Sequence, residues 1–174
     1  MIKNDPRVRF VKKWYERGVT EKDPFDKFFS LWIALIVAAS RWLELHGCTG
    51  YGRDKDKVRG YLLGHREQVR PVLAMKEVKL LAQRRGSSYG NAIVDYASRK
   101  LREKFEKFAG HYGGTTQLPE NELVEILGEI LNKIRNNAFH GVKIYDAADD
   151  IAVLKLVNPI LVQVLRRCEA QVLS

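Results

Sequence analysis

The string Lys133-Ile-Arg-Asn-Asn-Ala-Phe-His140-Gly places an Arg, two Asn and a His within six residues. No other stretch of the chain is so dense in groups that bind phosphate and move protons. A His titrates near neutrality and serves as general base or acid. An Arg binds phosphate oxygens bidentately and stabilises charge that builds on phosphorus. Together they match the needs of RNA cleavage by attack of the ribose 2′-hydroxyl. That reaction carries its nucleophile in the substrate and requires no metal. Arg135 would hold the phosphate, His140 would transfer the proton and Asn136 would orient the His or donate to the phosphate.

A helix turns about 100° per residue, so Asn136 and His140 share a face while Arg135 lies about 140° away from His140. Convergence of all three requires a distorted helix end or a second chain. A single His per chain, for a reaction that uses both an acid and a base, also points to a second chain. The expectation is a homodimer with a composite site around a two-fold axis. A His in the last helical turn also serves without chemistry, by capping free carbonyls.

The elements that position this segment read as helices. Asp5-Pro6 and Asp23-Pro24 are N-cap and first-turn signals, opening helices that Gly18 and His46-Gly47 are expected to close. Residues 51–85 suggest two short helices interrupted near Gly64 and Pro71. Asn91 to Ala109 is amphipathic, with Ile93, Ala97, Leu101, Phe105 and Phe108 inward and Arg99, Lys100, Arg102, Lys104 and Lys107 outward. Pro119 opens the helix that runs through the apolar stripe of Leu123, Ile126, Leu127, Ile130, Leu131 and Ile134 to His140. A last helix starts near Asp146, with Pro159 expected to kink or divide it. The reading is an all-α bundle of four or five main helices with short extra ones in the middle third, in one domain over 1–174.

The net charge of +9 is uneven. Residues 51–110 hold fifteen Lys and Arg against seven Asp and Glu, whereas residues 111–174 hold six against eight. A concentrated basic region suits a polyanion, most simply RNA, with Arg84, Arg85, Arg99, Lys100 and Arg102 as candidate contacts. Cys48 and Cys168 form no disulfide or metal spacing, which suits a reducing cytoplasm. The apolar run from Phe28 to Ala39 is too short for a membrane span and reads as core. His46-Gly-Cys48 lacks a second ligand pair, and the glycine loops at 86–90 and 110–114 lack the strand of a nucleotide-binding turn. Neither a metal nor another cofactor is expected. Trp14, Trp32 and Trp42 lie on apolar stripes and are expected in the core.

The string Ile134-Arg-Asn-Asn-Ala-Phe-His-Gly141 resembles the Arg-x4-His signature of the HEPN (higher eukaryotes and prokaryotes nucleotide-binding) family, many of whose members are metal-independent ribonucleases. Asp23-Pro-Phe-Asp-Lys-Phe-Phe-Ser-Leu-Trp-Ile-Ala34 is similar to the first long helix of that family, and residues 149–160 to its acidic-start final helix. The resemblance covers roughly 20–45 and 120–170, leaving 48–90 as a candidate basic insertion. It implies a HEPN-like bundle, an endoribonuclease of the toxin or defence type, and a shared site in a homodimer. It also implies an antitoxin or other regulatory protein as partner. Val142 stands where toxin members of the family often carry a Tyr, so regulation through that tyrosine is not implied. Two rival readings remain: a catalytically silent HEPN domain that binds RNA or nucleotide, and a helical module that dimerises or recruits a partner. Intact Arg135, Asn136 and His140 favour the enzyme.

Overall fold

The computed structural model describes residues 5–84, 99–139 and 148–173. Among them every regular element is a helix: α1 (Pro6–Thr20), α2 (Pro24–Leu45), α3 (Asp54–Gly64), α4 (Arg66–Leu73) and α5 (Lys76–Gln83). After a gap in the described chain come α6 (Arg99–Tyr112), α7 (Glu120–Phe139), α8 (Ala148–Cys168) and α9 (Ala170–Leu173). The all-α reading therefore holds for the described residues. His140 and Arg85 lie outside them, as do the first half of the helix read over 91–109 and the helix start near Asp146.

The first two helices start as their sequences dictate. The Asp5 carboxylate accepts from the Arg7 amide at 2.9 Å, and Asp23 accepts from the amides of Phe25 and Asp26 at 2.9 Å each. Each Asp thus satisfies amide donors that have no partner inside the helix, with Pro at the first turn. Gly18 does not close α1, which continues to Thr20. A Cβ on Gly18 would lie 2.7 Å from Leu31 Cγ, so this glycine permits the close crossing of α1 over α2.

α2 is the central column, packed by α1, α3 and α8. Phe28, Leu31, Ala34, Leu35, Ala38 and Ala39 are buried along it. At 22 residues it is longer than its apolar run suggests, and by length and composition it could cross a membrane, although 56% of its most apolar window is buried in the fold. α7 packs on α3, α4 and α6, while α8 packs on α2, α4 and α5. The buried side chains of all these helices form one continuous cluster, into which α3–α5 contribute Val58, Tyr61, Leu62, Val69, Val72 and Val78. The basic middle segment is thus half core by pattern and basic only on its outer face.

Two prolines lie within helices. Pro71 sits inside α4, and the break falls at Ala74-Met75. Pro159 sits inside an undivided α8. A Pro removes one backbone hydrogen bond, but buried Val69, Val72 and Leu73 around the first, and Val157, Ile160 and Leu161 around the second, hold their helices by packing. The middle third therefore contains three short helices rather than two.

A buried polar network ties the chain ends together. Tyr61 Oη donates to Glu169 Oε1 at 2.7 Å, Arg41 Nη1 lies 3.6 Å from Glu169 Oε2, and Arg41 Nε donates to Asp5 Oδ2 at 3.2 Å. Burial, reinforced by the neighbouring Cys168 and Glu169, pushes the Tyr61 hydroxyl well above its ordinary pKa. Burial likewise pushes the Cys168 thiol up to about 12, which leaves it protonated and unreactive.

Candidate functional site

α7 buries Leu123, Ile126, Leu127, Ile130, Leu131 and Ile134 and turns a polar stripe outward. That stripe comprises Glu125, Glu129, Asn132, Lys133 and Asn136, spaced three or four residues apart so that they line one edge of the helix. Arg135 leaves the helix on a different side. Its guanidinium donates from Nη1 to Asn136 Oδ1 at 3.0 Å and lies 3.3 Å, from Nη2, from Asp54 Oδ2 at the start of α3. The same guanidinium sits over the Phe139 ring, 5.2 Å from its centroid. Its Nε is buried with no hydrogen-bond partner among the described residues. Arg135 and Asn136 are thus hydrogen-bonded to each other near the end of α7. His140 follows Phe139 directly in sequence and lies outside the described residues.

Asn137, the second Asn of the motif, points inward: it is buried, and its Nδ2 has no partner among the described residues. Phe139 is partly exposed and packs on Phe29 at 5.2 Å and Phe28 at 6.4 Å between ring centroids. Phe29 in turn meets Trp14, and Trp14 meets Phe10, giving an aromatic strip that leads from α1 to the motif.

Beside the motif, α3, α6 and α7 enclose a cleft of about 460 Å³. Lys55 and Arg59 of α3, Lys100 of α6, and Asn132, Lys133 and Asn136 of α7 form its rim and walls. At one end Lys104 bridges Glu129 at 2.6 Å and Glu125 at 3.3 Å, and Arg59 lies 3.6 Å from Glu125. Burial alone would lower the Lys104 pKa, but the hydrogen bonds and charges of Glu129 and Glu125 outweigh it and the net shift is upward. Lys104 is thus half-buried on the polar side of α6 and ties that helix to α7. At the other end Lys133 is held below its ordinary pKa by burial.

The remaining RNA-contact candidates scatter. Lys100 lines the cleft, whereas Arg102 is exposed and is not part of its wall. Arg84 ends α5, is partly buried and is likewise not in the cleft. Arg99 opens α6. The histidines outside the motif have local duties. His46 Nδ1 lies 2.8 Å from Trp42 O, His65 Nδ1 lies 3.0 Å from Tyr61 O, and the Leu118 amide donates to His111 Nδ1 at 3.2 Å. No group of three or more potential metal ligands occurs among the described residues. Trp32 is buried, and Trp14 and Trp42 pack partly buried against the core.

Sequence reasoning did not select Asp54, Lys55 or Arg59. Asn132 and Lys133 were accessible to it, because they fall four and three residues before Asn136 on a helix otherwise apolar at that level. No protein-family model matches the chain, and neither a curated protein nor a solved structure matches it.

Proposed function

We propose that this protein is a metal-independent endoribonuclease of the HEPN type, a cytoplasmic toxin or defence effector. The carrying observation is the end of α7, where Arg135 and Asn136 are hydrogen-bonded to each other beside a cleft rimmed by lysines. The resemblance of residues 134–141 to the Arg-x4-His signature supports the same reading.

In this reading a base accepts the proton of the ribose 2′-hydroxyl, and the 2′-oxygen forms a bond to phosphorus. The bond from phosphorus to the 5′-oxygen breaks, and an acid returns a proton to that oxygen. The products are a 2′,3′-cyclic phosphate and a 5′-hydroxyl. Arg135 stabilises the charge on the phosphate oxygens, Asn136 orients the His or donates to the phosphate, and His140 moves the proton. DNA lacks the attacking hydroxyl and is inert.

Two copies sharing one site supply both the base and the acid. The aromatic strip suits this arrangement: Phe10, Phe29 and Phe139 are 43%, 40% and 38% exposed on the surface that reaches the motif. A second copy docked there would cover apolar area and bring two Arg135 and two His140 together. An antitoxin or regulator would act by capping the same surface. A protein that stays monomeric at micromolar concentration, with activity per chain constant on dilution, contradicts the dimer.

The test of the activity is a mixed RNA pool incubated with the protein in EDTA. Cleavage should persist in chelator and vanish in His140→Ala and in Arg135→Ala. Normal cutting by both variants would refute the assignment. One observation favours a silent RNA-binding domain as the second reading: Asp54 already occupies the guanidinium that must meet the phosphate. Binding without cleavage by the wild type would select it.

A further inference from the structure

We propose that the cleft between α3, α6 and α7 is a subsite for the phosphate next to the cleaved one on a single-stranded RNA. This rests on the endoribonuclease reading for its neighbour, Arg135, but the cleft itself is argued from its own residues.

Asn136 belongs to both places. Its Oδ1 accepts from Arg135, and its side chain lines the cleft. A strand whose phosphate lies on Arg135 therefore has the cleft mouth directly alongside. One helical turn back, at a rise of about 5.4 Å, stand Asn132 and Lys133, so the next phosphate meets a cation at a spacing on the scale of a nucleotide step.

The charges are arranged for this. The carboxylates Glu125 and Glu129 at the far end are engaged by Lys104 and Arg59, and Asp56 pairs with Arg53 at 2.9 Å. Lys55 and Lys100, from two different helices, line the cleft and make no ion pair among the described residues. Both are exposed at the rim, so a strand entering from solvent reaches them without any helix moving. Lys133 of α7, which already has an interaction partner in the protein, lines the cleft as well. Lysines from three helices thus line one cleft, and Lys55 and Lys100 are the two that a phosphate would meet at its rim. The Asn132 and Asn136 amides beside it can donate to a phosphate or to a base edge.

The experiment measures binding alone. A fluorescent RNA decamer, 2′-O-methylated throughout so that it cannot be cut, is titrated by anisotropy at several salt concentrations. Lys55→Ala/Lys100→Ala/Lys133→Ala should weaken binding by about tenfold at 0.1 M salt and reduce the slope of log K against log salt by about 2, as expected for three lost contacts to a single strand. Lys55→Ala/Lys100→Ala changes only exposed positions, keeps the fold and should reduce the slope by about 1.4. Lys13→Ala/Lys22→Ala/Lys76→Ala, three exposed lysines outside the cleft, should leave the slope nearly unchanged. Equal losses in control and cleft variants, or no loss in either cleft variant, overturn the subsite. Displacement of the decamer by adenosine monophosphate at equal concentration also overturns it, by reassigning the cleft to a free nucleotide. Because cleavage is never read, this outcome is independent of whether the protein proves to be a nuclease.

Discussion

If Arg135 binds the scissile phosphate as proposed, Asp54→Asn should make the protein bind RNA more tightly. Arg135 cannot meet a phosphate and Asp54 equally well with the same guanidinium face, so the pair at 3.3 Å competes with substrate. Both side chains are about a third exposed, at 28% and 34%, and solvent screens their attraction. Pairs of this kind contribute about 0.2–1 kcal/mol, which corresponds to a KM lower by about 1.4- to fivefold once the competitor is neutral. The rate of the bond-breaking step should change less than about twofold, because Asp54 is not among the groups assigned to proton transfer or charge stabilisation. The KM gain should shrink at high salt. Asp54 is also the first residue of α3, where a negative charge suits the helix dipole, so the variant should melt slightly lower. The assay is steady-state cleavage of a fluorogenic oligonucleotide at low and high salt. A tenfold fall in kcat with KM unchanged would refute the competition and make Asp54 a positioning residue for Arg135.

Three further outcomes test the fold that holds the site. Arg41→Met leaves the Glu169 carboxylate buried with Tyr61 as its remaining side-chain partner among the described residues, so it should cost about 3 kcal/mol or more and lower the Tm by roughly 6–12 °C; Arg41→Met/Glu169→Gln should recover part of that loss in thermal melts. Gly64→Ala would set its Cβ 2.1 Å from Trp42 Cη2 and should destabilise by about 1–3 kcal/mol in urea titration, whereas Gly52→Ala, with open space around it, should not clash. Burial depresses the His65 pKa below 6.5, opposed by its bond to Tyr61 O and the Glu169 charge and assisted by His46. The unfolded chain therefore binds the proton more readily, stability is fully present above about pH 6.5, and it falls as pH drops toward the folded pKa. His65→Gln should flatten the Tm profile between about pH 7 and pH 5, and an unchanged profile would refute the assignment.

Local signals carried much of the fold. Asp5-Pro6, Asp23-Pro24 and the stripe from Leu123 to Ile134 read directly as helix starts and a buried face, and the structure places α1, α2 and α7 there. The misreadings share one cause. Gly18 and Pro71 read as helix breaks by propensity, but each lies where packing decides: a close helix crossing at Gly18, and buried neighbours on either side of Pro71. The site divides in the same way. Arg135 and Asn136 are neighbours in sequence and in space, so their association was legible. Asp54, Lys55, Arg59 and Lys100 reach them only through the packing of α3 and α6 on α7. Periodicity tells which face of a helix is polar, not which other helix that face will meet. Lys104 shows this most clearly, since a pattern that places it on the polar side is equally satisfied by a half-buried tie to Glu125 and Glu129.

The central claim is cleavage through the ribose hydroxyl by the Arg135–His140 end of α7. Its most direct test is a DNA oligonucleotide carrying a single ribonucleotide, incubated with the protein in EDTA and analysed by mass spectrometry. The account predicts one cut, on the 3′ side of the ribonucleotide, leaving a 2′,3′-cyclic phosphate and a 5′-hydroxyl, and none with His140→Ala. Cutting within the all-deoxy stretches, a 3′-hydroxyl product, or loss of activity in EDTA would contradict it.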